Sequence, residues 1–349
     1  MILNETIRAC EYLTSNSFYP AWQMTCLKKL WSLLQEVSDL SIENNDLFLD
    51  YETLLMLRKQ LREQAMAKDA GSSGNSIQLT SRESAQVLAI LAPSRLLRLQ
   101  RDEYGRTSSR AIFTYAHLFS RTRAAEVALR RLCSSQLEDG NLNREMILTK
   151  GQLQQFIIDK AREINILSPL STSNKLFMKQ YARIAAQRFC FYECRADKRT
   201  LTVPSIIGSP VLSEFLDLQQ VSDGTDPNSR ALAMHYWFSL PNIRKIYNCF
   251  LSLDSRQVGS LTASDFIRFP SVSQSDAAGF TTAFTSRVFE VLANRHLRAN
   301  KRSLDMSRSG KLPATMALEE FTDFWLAWED RRSRPALQYF MRIFDIEVT

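Results

Sequence analysis

The chain has 349 residues, 45% of them hydrophobic and 23% charged, with only ten glycines and ten prolines; it is long enough to bury a sizeable core, and its composition favours helices over sheet. The net charge of +7 is spread among 37 acidic residues, and with no zinc-finger spacing, aromatic RNA-binding strand or Gly-rich phosphate loop it argues against a nucleic-acid partner. No run approaches the ~18 apolar residues of a membrane span, no basic start precedes an apolar core, and Cys10, Cys26, Cys133, Cys190, Cys194 and Cys249 form no CxxC pair, so a soluble, reduced, intracellular protein is expected.

In chain order, Ile2 to Leu34 reads as one or two short helices, with Trp31 docked in the core. Asp46 to Leu61 is expected as one amphipathic helix carrying Leu54, Leu55, Leu57 and Leu61 on one side. The GSSGNS stretch before Ser81 reads as a flexible connection. Arg82 to Ala92 is again helical, and a short turn pivoting on Gly105 leads into a helix over Ile112 to Leu132, with Arg121, Arg123, Arg130 and Arg131 as its solvated face and His117 as a structural histidine. Two loops of one length follow. In the first, Leu148 stands at the eighth position and Met146 where a glycine belongs; in the second, Cys194 to Ser205, Cys194 and Arg199 hold the first and sixth positions and Leu201 the eighth. The helix Asn174 to Tyr192 joins them, and the polar run Gln219 to Arg230 marks a boundary.

Ala231 to Phe269 is the best preserved unit, a complete helix, loop and helix of the EF-hand type. Asp254 stands at its first loop position, Gly259 at the sixth, where a sharp turn needs a residue without Cβ, Leu261 at the eighth and Asp265 at the twelfth. A calcium loop takes side-chain oxygens at positions three and five, and here these are Arg256 and Val258. The motif therefore reads as an EF-hand scaffold whose metal function is lost, and no cofactor is expected. Beyond it, Asp276 to Leu297 is expected as a helix, Arg298 to Thr315 as a basic loop, and Leu318 to Glu329 as a helix with Phe321, Phe324, Trp325 and Trp328 in contact range. The last helix, Arg334 to Phe344, runs into Asp345, the first residue of a further loop, and its Leu337, Phe340, Met341 and Phe344 are expected to pack back on the Trp237 to Phe250 helix or on Phe324, Trp325 and Trp328. The fold class is mostly α, an array of degenerate EF-hand units in two lobes. Its expected regions are 1–70, a linker at 71–81, an EF-hand-like region at 82–218, a linker at 219–230, and 231–349 with its last loop cut short.

WFSLPNIRKIYNCFLSLDSRQVGSLTASDF (Trp237 to Phe266) followed by FTDFWLAWEDRRSRPALQYFMRIFDIE (Phe321 to Glu347) resembles the B double-prime regulatory subunits of protein phosphatase 2A, most closely the gamma-type branch that includes the TONNEAU group. Weaker similarity runs back through Phe189 to Gln219, Arg101 to Tyr115, Leu47 to Leu55 and Leu30 to Val37. The resemblance implies a non-catalytic subunit that docks on the phosphatase scaffold and directs the catalytic subunit to its substrates, with action in the cytoplasm, at the cytoskeleton, centrosome or basal body, or in the nucleus, and with centrosomal or microtubule-associated partners. No membrane partner is implied. The family's calcium ligands carry over at Asp254 and Gly259 and depart at Arg256 and Val258. The rival reading is an EF-hand-like structural protein of the cytoskeleton, cilium or basal body with no phosphatase partner. No enzyme is expected: His117, His235 and His296 are far apart, and no HExxH, GxSxG or paired-carboxylate signature accompanies them.

Overall fold

A computed structural model describes residues 20–37, 39–40, 47–66, 81–92, 96, 99–134, 146–167, 170, 175–194, 200–218, 234–273, 279–300 and 314–345. Of the expected linker at 71–81, residues 71–80 lie outside the described residues and Ser81 already opens a helix; the linker at 219–230 and most of the basic loop after Arg298 also lie outside the described residues. Among the described residues the chain is mostly α, with fourteen α-helices and seven strands of two or three residues. It divides into two compact units, Met1–Val127 and Ala128–Thr349.

In the first unit, α1 (Pro20–Val37), β1 (Asp39–Leu40), β2 (Leu47–Leu49), α2 (Tyr51–Met66) and α3 (Ser81–Ile90) precede β3 (Thr107–Ser108), which leads directly into α4 (Ser109–Ser134). Leu27, Leu30 and Leu34 on α1 and Leu54, Leu57 and Leu61 on α2 repeat at i, i+3, i+7, and they meet Val87, Leu91, Ile112 and Ala116 in one buried cluster. Lys29 reaches the buried carboxylate of Glu83 at 2.7 Å. The strands form an antiparallel sheet in the order β1-β2-β3, with Leu49 opposite Thr107.

Three expectations are corrected here. Helix α2 does not begin at Asp46, because Leu47–Leu49 are held in the sheet; Asp50 instead accepts a hydrogen bond from the Thr53 amide at 2.6 Å and starts the helix after itself. Leu55 is 41% exposed, since it is rotated by about 100° from Leu54 and cannot share its face. Arg121 is buried rather than solvated, because the second half of α4 turns inward along the line that Arg121 and Ala125 share; Arg130 and Arg131 are exposed as expected. Trp31 is half-buried, edge-on to Phe113 at 5.2 Å.

The second unit contains β4 (Ile147–Leu148), α5 (Lys150–Glu163), α6 (Lys175–Glu193), β5 (Leu201–Thr202), α7 (Val203–Ile207), α8 (Pro210–Asp217), α9 (Leu240–Leu253), β6 (Ser260–Leu261), α10 (Ala263–Phe266), α11 (Phe269–Val272), α12 (Thr282–Asn300), β7 (Met316–Ala317), α13 (Leu318–Glu329) and α14 (Arg334–Phe344). Helix α6 packs on α5, α9 and α13. Phe189, Phe215 and Phe238 form one aromatic knot, tied by the Tyr181 hydroxyl donating to the Phe238 carbonyl at 2.7 Å. A second knot centres on Phe266 and Phe269, whose rings stand edge-on to Phe324 at 4.7 and 5.1 Å. Trp325 and Trp328 complete it.

Two boundaries and one packing expectation differ from the sequence reading. Helix α12 starts at Thr282, where the Thr281 hydroxyl accepts the Phe284 amide, and it runs through Arg298 to Asn300 instead of ending at Leu297. The last helix does not pack back as expected. Ala336 and Ile343 are its buried residues, whereas Leu337, Met341 and Phe344 are 52%, 69% and 65% exposed and Phe340 is half-buried. The reason is angular: the buried arc of this helix runs through Ala336, Tyr339 and Ile343, and Leu337, Met341 and Phe344 lie about 100° round from it, so one layer cannot cover both arcs.

Candidate functional site

The loops between helices pair in a regular way. Leu49 faces Thr107, Leu148 faces Leu201 and Leu261 faces Met316, each pair at the centre of a minimal antiparallel ladder between two helix-loop-helix units. Leu148, Leu201 and Leu261 are the residues at eighth loop positions, and Leu148 and Leu201 prove to be each other's partners. After each of these residues comes the N-cap of the exit helix, with the residue three further on closing a capping box: Thr149 with Gln152, Thr202 with Ser205, Thr262 with Asp265. At the fourth such place Glu320 supplies one half of the box, accepting the Ala317 amide at 2.7 Å. In each of these loops the residue four after the strand residue serves its own helix start.

The loop from Asp254 to Asp265 is shaped by its two carboxylates, which do different jobs. Asp254 is buried and accepts the Val258 amide at 3.1 Å on one oxygen and the Gly259 amide at 2.7 Å on the other. Those bonds bend the chain through Gln257 at φ +53° and Gly259 at φ +78°, the left-handed turn that glycine makes without strain. Asp265 turns the other way. One of its oxygens accepts the Thr262 amide at 3.0 Å and hydroxyl at 2.6 Å, and Arg256 approaches the same oxygen at 3.4 Å. Arg268 lies 3.6 Å from the other oxygen and also donates to the Leu253 carbonyl at 2.7 Å. Burial alone pushes the Asp265 carboxyl up, but the Thr262 bonds and the Arg256 charge outweigh it and hold the group below the ordinary aspartate range.

This donor set does not fit calcium. The ion takes six to eight oxygens, and here the side chains at positions three and five are a guanidinium and an isopropyl group, the latter 68% exposed. With Arg256 and Arg268 the loop is already charge-balanced. The Arg256 pair is solvent-exposed, so its contribution to stability is small, below ~1 kcal/mol; what it supplies is the positive charge. The Gly105 loop repeats the arrangement with other residues. Gly105 has φ +74°, Asp102 accepts the Tyr104 and Arg106 amides at 3.0 and 2.7 Å, and the Arg106 guanidinium meets the same carboxylate at 2.8 Å while lying over Phe48 and Tyr104. Slight desolvation of Asp102 is outweighed by these Arg106 bonds, and its carboxyl is held low.

A third feature is a polar seam between α6 and α13. Arg183 grips Glu319 in a fork at 2.9 and 2.8 Å, Gln187 donates to Asp323 at 2.5 Å, and the Tyr192 hydroxyl meets Asp330 at 3.0 Å. Lys150 and Arg295 add positive charge at 3.7 Å from Glu319 and 3.5 Å from Asp323. Burial raises the Glu319 carboxyl, yet Arg183 and Lys150 bring it below its usual value; for the more enclosed Asp323 desolvation prevails and the carboxyl is raised. His296 hydrogen-bonds Glu320 nearby. Among the described residues no group of three or more His, Cys, Asp or Glu side chains could hold a metal ion, and no helix is long and apolar enough to cross a membrane.

Of the residues singled out by sequence, Asp254, Gly259 and Asp265 all fall in one ordered loop. Sequence reasoning missed Asp102 with Arg106, the strand partner Met316, and the seam. A carboxylate three residues before a loop glycine pointed to the first, and the recurrent spacing from the eighth to the twelfth position pointed to the second.

No family model matches the chain. It is 24% identical over 315 residues to TON2 of Arabidopsis thaliana, a probable B'' regulatory subunit of serine/threonine-protein phosphatase 2A, covering 87% of this chain and 59% of that protein. Over 325 residues it is 23% identical to the gamma B'' regulatory subunit of the same phosphatase from Homo sapiens, covering 92% and 58%. The chain is thus similar to B'' regulatory subunits of protein phosphatase 2A from a plant and from mammals. It spans less than two thirds of the length of these curated relatives. Among solved structures, a PP2A PR70 holoenzyme matches with a TM-score of 0.45 and 17% identity, over 63% of this chain and 70% of that one. Against the B'' relatives the likeness is not confined to the Gly259 loop, since it extends over both compact units.

Proposed function

We propose that this chain is a non-catalytic regulatory subunit of serine/threonine protein phosphatase 2A, one that docks on the scaffold subunit and directs the holoenzyme to substrates or sites, cytoskeletal ones among them. The observation that carries the reading is the colinear likeness to B'' regulatory subunits over 87% and 92% of the chain. The paired loops support it as a scaffold for contact rather than for chemistry, because their carboxylates are spent on backbone amides, helix starts and arginines. In this reading the Asp254 to Asp265 loop holds its shape without calcium, the arginine charge standing where an ion would.

The experiment is reconstitution. The purified chain is mixed with recombinant scaffold subunit, with and without catalytic subunit, and resolved by size-exclusion chromatography in EGTA and in calcium. Co-elution with the scaffold in both buffers is expected. Failure to bind the scaffold in either buffer, with a pull-down from cell lysate recovering tubulin-associated partners and no phosphatase subunit, overturns the proposal in favour of a cytoskeletal structural protein.

A further inference from the structure

Helix α14 presents three strips. Ala336 and Ile343 are buried, and Tyr339 stands 6.4 Å from Phe324 between them. Next to this arc, Leu337, Met341 and Phe344 follow one another at i, i+4 and i+7, each more than half exposed, with Phe340 half-buried beside them. No other described helix leaves three large apolar side chains so exposed. The third strip carries Arg334 and Arg342, both exposed, and Arg331 and Arg332 are exposed in the turn before the helix. Arg334 lies seven residues before Met341 and therefore nearly in line with it. Arg331 is anchored there, its guanidinium 4.0 Å from the Trp328 ring.

Of the neighbouring acids, Glu290 is paired with Arg287 at 3.1 Å, and Glu329 and Asp330, which keep their charge while accepting from the neutral Trp237 indole at 2.9 Å and Tyr192 hydroxyl at 3.0 Å, precede the helix beside Arg331 and Arg332 and leave Arg334 and Arg342 as its own basic residues. Asp345 lies past the last turn, where Arg287 donates to the Ile343 and Asp345 carbonyls. The strip is apolar along its length and positive along one side.

We infer that this strip is the docking face for an amphipathic helix of a partner protein, with an acidic flank that lies along the Arg334 and Arg342 edge. The i, i+4, i+7 spacing is the register by which one helix reads another, and the basic edge sets the partner's orientation and speeds encounter. A second copy of this chain is the poorer occupant, because it would bring two arginine edges into one seam, and like charges so placed select against the pairing. The inference stands apart from the proposed function, since it rests on this helix alone.

The test titrates the full chain with two labelled synthetic peptides of about five helical turns, or about 18 residues. Both carry leucine at i, i+3, i+4 and i+7; one has glutamate on the flanks and the other lysine, and binding is read by fluorescence anisotropy. The glutamate peptide should bind about tenfold or more tighter than the lysine peptide, and Met341→Glu should weaken it by about tenfold. The double substitution Arg334→Glu, Arg342→Glu touches no buried position and should invert the preference, with circular dichroism reporting retained helix. Equal binding of the two peptides, no binding of either, or indifference to the charge reversal overturns the inference. So does a monomer–dimer equilibrium in sedimentation that Met341→Glu abolishes, which would assign the face to a second copy.

Discussion

Asp254→Asn separates a loop shaped by its own hydrogen bonds from one shaped by calcium. The native carboxylate is 4% exposed and accepts two amides, at 3.1 and 2.7 Å. Hydrogen bonds to a charged acceptor are worth about 1.5–3 kcal/mol each, and because Val258 and Gly259 are solvent-exposed the lower end applies. Asparagine retains one acceptor and turns an amide donor toward the other N–H, so a loss of about 2 kcal/mol is expected, against about 3 for Asp254→Ala. For a unit of this size that corresponds to a fall in Tm of about 4–8 °C. The assay is thermal and urea unfolding of wild type and variant in EGTA and in millimolar calcium. In millimolar calcium, a thousandfold above its dissociation constant, a working site with micromolar affinity would add about 4.1 kcal/mol to the wild type, and the variant would lose that increment. The expected result is a variant destabilised equally in both buffers. Calcium stabilisation of the wild type that Asp254→Asn removes would refute the reasoning.

Gly259→Ala and Gly105→Ala meet no atom within 4 Å but must adopt φ of +78° and +74°, so each should cost about 1–2 kcal/mol from backbone strain alone, read as a lower urea midpoint with an unchanged slope. Phe269→Ala empties the centre of the second aromatic knot, where Phe269 is fully buried against Phe324, Phe321 and Trp325; a loss of about 3–5 kcal/mol is expected by urea denaturation. The seam should respond to pH in two opposite senses. Glu319 is held below its usual range, so its contribution is present at neutral pH and lost as pH falls through the lowered value, and the stability gap between wild type and Glu319→Gln should widen from acid to neutral pH. Asp323 is raised, so its contribution is full in acid and lost as pH rises through the raised value; Asp323→Asn should therefore compare more favourably with wild type as pH increases.

Much of this was legible from spacing. The Gly259 loop announced itself because a left-handed turn, an apolar strand residue and a capping carboxylate must fall at set intervals, and the bounds of α13 and α14 followed from their amphipathic repeat. Misreadings arose where a local signal was overruled from far away. Leu47–Leu49 look like the start of a helix until Thr107 and Ser108 pair with Phe48 and Leu49. Arg121 looks solvated because charge says so, while the periodicity it shares with Ala125 says otherwise. The exposure of Leu337, Met341 and Phe344 was not legible at all, since an apolar stripe at helical spacing states that a face is hydrophobic and not what will cover it.

The polar seam also bears on how the second unit is made. Arg183 and Glu319 are 136 residues apart, as are Gln187 and Asp323, and Tyr192 and Asp330 are separated by 138. At ordinary rates of synthesis, α13 emerges roughly 7–27 s after α6. For that interval α6 carries its guanidinium and amide groups without the carboxylates that satisfy them, and the apolar surface that α13 covers stays open. The pair of α5 and α6 can form early, whereas closure of the seam waits on the last third of the unit, and the long sequence separation of that step makes it the slow one.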